Sequence, residues 1–379
     1  MDVPSDTTAS PGPVILFGSG ETSASGRKVL DTVLQGLRPS PNVALLETPA
    51  GFELNSAQVI GRVAEFIEQR LQNYQPQITV VPARQRGTDH SPDDPVISAP
   101  LLQADLIFMG PGSPTYAVRQ LKDSLVWYNT LARHRLGAAI ALASAAVIAI
   151  SNQALPVYEI YKVGEDLHWK PGLDLFGYYG LQLVFVPHWN NNEGGSNLDT
   201  SRCFMGRPRF ERLMELLPAK MTVVGIDEHT ALIMDPAQAC CHVVGKGGVI
   251  LLHTGPVHLG ASSSQDLEEA GLDEVIRIRS GHVHQFQSGE SFELKRIGMF
   301  KQANLEEILP PDIWQQAQSL VVSQPSDADI PDEVYDLVKR RQAARESKDW
   351  EMADVLREHI QALGWQVRDN PDGSDVSPL

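Results

Sequence analysis

Short apolar runs that end in turns recur through the first 150 residues of the chain. The runs are VILF, VALL, ITVV, LIFM and AIALA, and they lie within residues 14–21, 42–51, 77–84, 104–114 and 137–144. Helical segments are predicted after three of them, at about 25–37, 56–73 and 115–121. Continuous apolar strands that alternate with helices are typical of a parallel sheet covered on both faces. The pattern therefore predicts an α/β fold with a mostly parallel sheet and helices on both faces.

The turns after these strands carry most of the small and polar residues of this region. The motifs GSGE, TPAG, GPGSP and Ser144 each follow a predicted strand. In an open parallel sheet, ligands bind at the carboxyl ends of the strands. We therefore expect these turns to lie along one edge of the sheet and to border a functional site.

Ser144 is the one hydroxyl-bearing residue in the run AAIALASAAVIAI, residues 138–150. It is either a small residue in a packed helix or a nucleophile at the tip of a central strand. A serine nucleophile needs a base, a group that orients the base, and donors for the oxyanion. His188 follows a later apolar run and Glu228 lies on a predicted hairpin turn, so the three residues form a candidate triad. The order Ser, His, acid differs from that of the α/β-hydrolases.

Composition excludes several classes of function. The net charge of −16 disfavours general binding to nucleic-acid backbones. Cys203, Cys240 and Cys241 lack metal-ligand spacing, and the histidines lack a metal-binding pattern, so the sequence predicts no metal and no cofactor. The amino-terminal residues lack a signal-peptide pattern, and the run 136–150 is too short for a membrane span, which together predict a cytoplasmic protein.

The second half of the chain is richer in β signals. Segments 181–189, 221–235, 239–253 and 283–294 are expected to extend the same sheet, with a helix at 207–218 between two of them. A composition change after Pro310 predicts a linker, and helical spacing over 333–364 predicts a two-helix hairpin. The expected organisation is a disordered segment at 1–11, a large domain at 12–310, a linker at 311–331 and a small helical module at 332–379.

Several of these motifs together resemble the cyanophycinase and aspartyl dipeptidase family of serine peptidases. They are FGSGE, FMGPGSP, ALASAA, PHW and GIDEHTAL, spread over residues 12–255. The resemblance implies a class I glutamine amidotransferase-like, or flavodoxin-like, fold. It also implies that Ser144 is the nucleophile, His188 the base and Glu228 the acid. The backbone N–H groups of Ala145, Gly110 and Gly112 would form the oxyanion hole.

Two positions depart from that family's pattern. Its nucleophile turn usually reads G-x-S-A-G, whereas this chain has Leu142 and Ala146 where the glycines stand. A Cβ next to a strained turn can clash with the backbone. The sequence thus leaves two hypotheses open. The first is a serine hydrolase that cleaves a small peptide or amide, and the second is a weak or inactive binding protein of the same fold.

The polar loop after His188 supplies candidates for substrate binding, namely Asn190, Glu193, Arg202 and Arg207. A guanidinium can bind a carboxylate through two hydrogen bonds, which favours the arginines. A surface loop would also be polar without any ligand. Residues 157–169 are expected to form a lid or rim, with Glu159, Lys162 and Glu165 as candidates.

The C-terminal module has a resemblance of its own. The pattern RRQAARESKDWEMADVLR resembles the C-terminal module of cysteinyl-tRNA synthetases. No synthetase catalytic motif precedes it, so synthetase activity is not implied. Lys339, Arg340, Arg341 and Arg345 gather on its first helix and could contact tRNA. The preferred interpretation is a solvated helix face or a hairpin that docks on a protein, and residues 332–379 carry seven Lys or Arg against eleven Asp or Glu. A homodimer is a further expectation.

Overall fold

The computed structural model describes residues 10–254, 280–303, 305–322, 331–370 and 373–378. The predicted disordered segment 1–11 lies almost wholly outside these ranges. The chain divides into two compact units, Met1–Ala317 and Gln318–Leu379. Each unit is described below by itself.

The first five strands of the first unit are those predicted from the apolar runs, in the same order along the chain. The strands of this unit are β1 (Val14–Phe17), β2 (Asn42–Leu46), β3 (Gln77–Val81), β4 (Leu106–Met109), β5 (Ala139–Ala143), β6 (Gln153–Ala154), β7 (Lys170–Pro171), β8 (Leu183–Val186), β9 (Thr222–Ile226), β10 (Thr230–Asp235), β11 (Cys240–Gly245), β12 (Gly248–Thr254), β13 (Ser280–Gln287) and β14 (Ser291–Glu293).

The helices of this unit lie mostly between consecutive strands. They are α1 (Ala24–Leu34), α2 (Ser56–Arg70), α3 (Pro95–Ser98), α4 (Pro114–Leu121), α5 (Leu125–Arg135), α6 (Ala145–Ala149) and α7 (Gly206–Leu216), together with a π-helical turn at Glu159–Val163. A further helix, α8 (Pro311–Val322), includes the boundary between the two units. The sequence did not indicate α5, because both of its faces are buried and its buried positions include polar residues, which hides the amphipathic period. The stretch predicted as a linker begins with α8.

The central sheet has eight strands in the order β14-β11-β10-β1-β5-β4-β2-β3. Strands β1, β5, β4, β2 and β3 are parallel, and β10, β11 and β14 extend the sheet antiparallel. The parallel half confirms the predicted α/β class. Its carboxyl ends place the motifs GSGE, TPAG, GPGSP and Ser144 along one edge.

The expectation that all later strands extend this sheet is wrong for four of them. Strands β8, β9, β12 and β13 form a separate four-stranded sheet. The chain leaves β9 in one sheet and enters β10 in the other through a turn in which His229 has a left-handed φ of 55°. At this turn the Gly18 N–H donates to the Thr230 carbonyl at 2.8 Å. A Cβ at Gly18 would lie 2.1 Å from the Asp227 carbonyl oxygen, so only glycine allows this approach.

Two of the apolar clusters in the described part of this unit join its sheets to its helices. One core joins one face of the parallel strands to α1 and α2, and it includes Phe17, Leu30, Leu45, Ile67 and Phe108. The other joins β8, β9 and β12 to α6 and α7, and it includes Val186, Phe210, Val223 and Leu252. Among the described residues, no helix is both long and apolar enough to span a bilayer.

The second unit contains the predicted helical hairpin. Its elements are α9 (Asp332–Glu346), α10 (Trp350–Ala362), β15 (Trp365–Asn370) and β16 (Gly373–Pro378). Asp349 begins α10 by accepting the Met352 N–H at 3.1 Å. Val334, Leu337, Leu356 and Ile360 form its core. The segment expected to be a short extended stretch and turn is a β-hairpin that packs on this core.

Candidate active site

Ser144 lies at the junction of β5 and α6. Its backbone has φ 52° and ψ −110°, a conformation that L-residues rarely adopt. Leu142 is fully buried in β5, where it pairs with Leu16 and Met109. The strained turn is therefore formed although Leu142 and Ala146 replace the expected glycines, because the Leu142 side chain packs in the core beneath the turn.

The side chains of the three candidate triad residues form a continuous hydrogen-bonded chain. Ser144 Oγ lies 3.1 Å from His188 Nε2, and His188 Nδ1 lies 3.0 Å from Glu228 Oε1. His188 also has a left-handed φ, of 52°, and its N–H donates to the Gly18 carbonyl at 3.1 Å. The GSGE turn after β1 thus holds the loop that carries the imidazole, and three segments distant in sequence meet at one point.

Two asparagines hold Glu228 in place. Asn191 Nδ2 donates to Glu228 Oε1 at 2.9 Å, and Asn190 Oδ1 accepts the Glu228 N–H at 2.8 Å. The His188 hydrogen bond, opposed by burial and aided by Asn191, holds the pKa of the Glu228 carboxyl below its usual value. Glu228 is therefore ionised at neutral pH and suited to orient an imidazole and to stabilise its protonated form.

Two backbone N–H groups lie beside Ser144 as candidate oxyanion donors. Ala145 begins α6, so its N–H has no acceptor within the helix. Gly112 lies in the turn after β4 and lines the same cavity, whereas Gly110 does not. Pro111 between them has no N–H. The geometry therefore favours Ala145 and Gly112 over Gly110.

The cavity at Ser144 has a volume of about 340 Å³. Apolar and aromatic side chains form most of its wall, and Lys162 and Glu193 add one positive and one negative charge. Cys203 also lines it, but burial and the nearby Glu228 raise the pKa of this thiol to about 12. Cys203 is therefore neutral at physiological pH and does not compete with Ser144 as a nucleophile. The remaining wall includes Ile148, Val157, Tyr158, Tyr161 and Phe204.

Of the four residues predicted to bind substrate, only Glu193 lines this cavity. Asn190, Arg202 and Arg207 line a separate cavity of about 210 Å³. Arg202 is buried there, with its guanidinium 4.0 Å from the centre of the Trp189 ring and Nη1 donating to the Trp189 carbonyl at 3.0 Å. Arg202, Cys203 and Phe204 all have left-handed backbone conformations. Arg202 lines the second cavity, whereas Cys203 and Phe204 line the Ser144 cavity.

Other residues of the site were not picked out from the sequence. Asn191 was missed because it stands in a run of three asparagines with no local signal that distinguishes them. Tyr158, Tyr161 and Phe204 were missed because isolated aromatics in a loop are also typical of packing. Among the described residues no group of three or more His, Cys, Asp or Glu side chains is arranged to bind a metal ion.

The C-terminal part of the chain matches a known family. Residues 327–375 match the model of the cysteinyl-tRNA ligase anticodon binding domain. The chain is 48% identical over 48 residues to the cysteine–tRNA ligase of Methanosarcina acetivorans, which is 13% of this chain and 10% of that protein. It is 35% identical over 82 residues to that of Chlamydia caviae, 21% of this chain and 17% of that protein. The chain thus spans less than a fifth of these relatives.

The first unit is similar in fold to a peptidase. The crystal structure of a peptidase from an acI-B1 Actinobacterium superposes with a TM-score of 0.54 and 18% sequence identity. The match covers 75% of this chain and 97% of that one. The chain therefore has a peptidase-type fold, as the resemblance of its motifs predicts.

Proposed function

We propose that the protein is a serine hydrolase that cleaves a small peptide or amide. The observation that carries this proposal is the unbroken hydrogen-bonded chain from Ser144 Oγ through His188 to Glu228, on a strained strand-to-helix turn. A buried structural serine has no need of a left-handed backbone or of an imidazole partner that a carboxylate orients.

In the proposed reaction Ser144 Oγ attacks the carbonyl carbon of the scissile amide while His188 Nε2 takes the hydroxyl proton. The N–H groups of Ala145 and Gly112 would donate to the oxyanion of the tetrahedral intermediate. Loss of one such donor typically costs roughly a hundredfold or more in rate. His188 then gives its proton to the leaving amine, which departs and leaves an acyl-enzyme. A water molecule, deprotonated by His188, hydrolyses this ester and restores Ser144.

Labelling by a fluorophosphonate tests this proposal without knowledge of the substrate. We expect covalent modification of the folded protein, with the adduct located on Ser144 by mass spectrometry. Ser144→Ala should abolish the adduct and His188→Gln should strongly reduce it, while thermally unfolded wild-type protein serves as the control for non-specific reaction. A folded wild-type protein that remains unmodified would contradict the proposal and support the alternative, a weak or inactive binding protein of this fold.

We further propose that the C-terminal module binds tRNA. The match of residues 327–375 to the anticodon binding domain supports this second function. Lys339 and Arg340 are exposed on α9, whereas Arg341 is buried and donates to Ser374 Oγ at 3.5 Å. Arg345 packs beside Trp350, 5.9 Å from the centre of its ring. Of the four basic residues predicted to contact RNA, Lys339 and Arg340 are therefore the best placed, and Arg341 has a structural role.

A gel-shift titration with unfractionated tRNA tests this binding. We expect the wild-type chain to shift tRNA more weakly as salt rises, since phosphate contacts release counterions. Lys339→Ala with Arg340→Ala should weaken the shift, whereas deletion of the residues after Val322 should abolish it and leave Ser144 labelling unchanged. Equal binding by the truncated protein would assign any affinity to the first unit and refute the role of the module.

A further inference from the structure

Two separate segments of the first unit form parts of the wall around Ser144. The oxyanion turn, residues 110–113, contributes Gly112. The π-turn, Glu159–Val163, contributes Tyr161 and Lys162, and Tyr158 directly precedes it. These segments are more than forty residues apart in sequence. The dimensions of the cavity therefore depend on what holds the π-turn against the oxyanion turn.

Glu159 provides a direct link between these segments. Its Oε1 accepts the Thr115 hydroxyl at 2.5 Å and the Lys170 ammonium at 3.3 Å. Thr115 lies in the first turn of α4, directly after the oxyanion turn, and its Oγ1 is 3.1 Å from Ser113 Oγ. Ser113 Oγ in turn accepts the Tyr116 N–H at 3.2 Å, and so caps α4.

The direction of these hydrogen bonds follows from the ionised carboxylate at one end. A carboxylate only accepts, so Thr115 must donate its proton to Glu159, and its oxygen can then accept from Ser113. Burial acts to raise the pKa of Glu159. The Thr115 hydrogen bond, a backbone N–H hydrogen bond and the positive charge of Lys170 together outweigh it and hold the pKa below its usual value. Glu159 is charged at neutral pH, and charge-assisted bonds are the stronger kind.

The oxyanion turn is held on its other side by backbone contacts. The Ser113 N–H donates to the Pro49 carbonyl at 2.9 Å. Gly112 has φ 146°, and a Cβ there would lie 2.0 Å from the same Pro49 oxygen. The turn therefore lies between the TPAG loop, which contacts its backbone, and Glu159, which reaches it through two hydroxyls.

We propose that Glu159 is a positioning residue that ties the π-turn to the oxyanion turn and so sets the distance of Gly112, Tyr161 and Lys162 from Ser144. The catalytic part of this inference rests on the proposed hydrolase function; the structural tie does not. Glu159 touches no reacting atom, and it acts through Thr115 and Ser113 on the donor geometry and through the π-turn on the cavity wall.

If Glu159 had only a structural role, its contribution to stability would come from the ion pair with Lys170. The Lys170 side chain is 41% exposed, and an ion pair of this kind contributes little because water screens it. Lys170→Met therefore separates the two roles, since it removes the ion pair and leaves the Thr115 bond. Glu68→Gln is the control for the change of charge, because Glu68 is exposed on α2 and does not line the Ser144 cavity.

Hydrogen exchange measured by mass spectrometry, together with fluorophosphonate labelling of the full chain, tests the tie. In Glu159→Ala and in Thr115→Val we expect roughly tenfold faster amide exchange in both the π-turn and residues 112–116, the effect of losing one charge-assisted hydrogen bond. The rate of Ser144 labelling should fall by a similar factor. Glu159→Gln, which keeps an acceptor, should recover part of both effects, and Lys170→Met and Glu68→Gln should change neither.

Each outcome decides one part of the proposal. Unchanged exchange in Glu159→Ala and Thr115→Val would refute the tie. Faster exchange with an unchanged labelling rate would refute the positioning role while leaving the tie in place. A wild-type protein that resists labelling would refute the hydrolase function, and the exchange measurement would still decide whether Glu159 joins the two turns. A urea titration of each variant excludes global unfolding as the cause.

Discussion

At the scale of single residues, the site depends on backbone conformations that few side chains tolerate. Ser144 and His188 are both left-handed, and each is held by contacts from another segment. Such strained residues persist only where the surrounding structure imposes them, and they concentrate at functional sites. Gly112 differs, since its conformation and its contact with Pro49 both require glycine.

Gly112→Ala should therefore impair both stability and the oxyanion hole. We expect a loss of about 1–3 kcal/mol in the free energy of unfolding, from the forbidden φ and the clash with the Pro49 carbonyl, and slower labelling of Ser144. Urea unfolding and fluorophosphonate kinetics measure the two effects. Gly61→Ala is the control, because Gly61 lies in α2 and a Cβ there would meet nothing within 4 Å. It should leave labelling unchanged and raise stability by about 0.5–1 kcal/mol.

The charge of Glu228, and not only its hydrogen bond to His188, should contribute to the reactivity of Ser144. We expect Glu228→Gln to slow Ser144 labelling roughly a hundredfold or more, since the amide cannot stabilise a protonated His188. The folded pKa of Glu228 lies below its ordinary value of 4.5, so the carboxylate is ionised from about pH 5 upward. Titration of the Glu228 carboxyl itself should therefore add no pH dependence to this deficit between about pH 5 and 8, a range above that pKa.

Glu193→Gln is the comparison for this effect, because Glu193 lines the cavity without a hydrogen bond to His188. Its labelling rate should stay within a few fold of the wild type. If Glu228→Gln slowed labelling no more than Glu193→Gln does, the acid of the triad would be misassigned.

At the scale of elements, the turn between β5 and α6 shows why a family pattern can change without loss of the geometry. Glycine before a nucleophile avoids a clash at a strained turn. Here Leu142 is instead a core residue of β5, with no exposed surface. The Leu142 side chain is buried in the core, and Leu142 itself does not have a positive φ. At this turn the strained backbone conformation is that of Ser144.

Leu142→Ala should thus destabilise the protein without improving the site. We expect a loss of about 2–5 kcal/mol in the free energy of unfolding, typical of a buried leucine replaced by alanine. Leu216→Ala is the control, since Leu216 at the end of α7 is 54% exposed and should change stability by about 0.5 kcal/mol or less. Faster labelling of Leu142→Ala with unchanged stability would mean that the leucine obstructs the turn.

At the scale of the whole molecule, one buried pair makes the stability of the first unit depend on pH. His134 Nε2 lies 2.6 Å from Tyr179 Oη, and both side chains are fully buried. Burial lowers the pKa of His134 from 6.5 to about 4 and raises that of Tyr179. His134 is neutral in the folded protein, whereas the unfolded chain gains its proton below pH 6.5.

The free energy of unfolding should accordingly decrease as the pH falls from 6.5 towards 4. Below pH 4 His134 is protonated in both states and should cause no further decrease. Between about pH 7 and pH 5 we expect His134 to account for about 2 kcal/mol of the decrease. Urea titrations at the two pH values should show a smaller decrease for His134→Gln than for wild type. His90→Gln, at an exposed histidine, should keep the wild-type decrease; an equal decrease in all three proteins would contradict the assignment.

The local pattern of the sequence was enough to predict the parallel half of the central sheet and the helical hairpin of the module. The roles of Ser144, His188 and Glu228 came from the resemblance to a family and stay a proposal. Strand and helix periodicity is a local property, and the carboxyl ends of parallel strands necessarily share an edge. Predicting these strands and helices therefore required no knowledge of how distant segments of the chain pack together.

Only the tertiary structure decided which residues share a cavity. The chain passes between the two sheets through a turn in which His229 is left-handed. Arg202, Cys203 and Phe204 are also left-handed, and Arg202 lines a different cavity from the other two. The local sequence does not predict such conformations, because non-glycine residues adopt them mainly where contacts from other segments impose them. For the same reason the choice of Gly112 over Gly110, and the link from Glu159 to Thr115, appear only once the chain is folded.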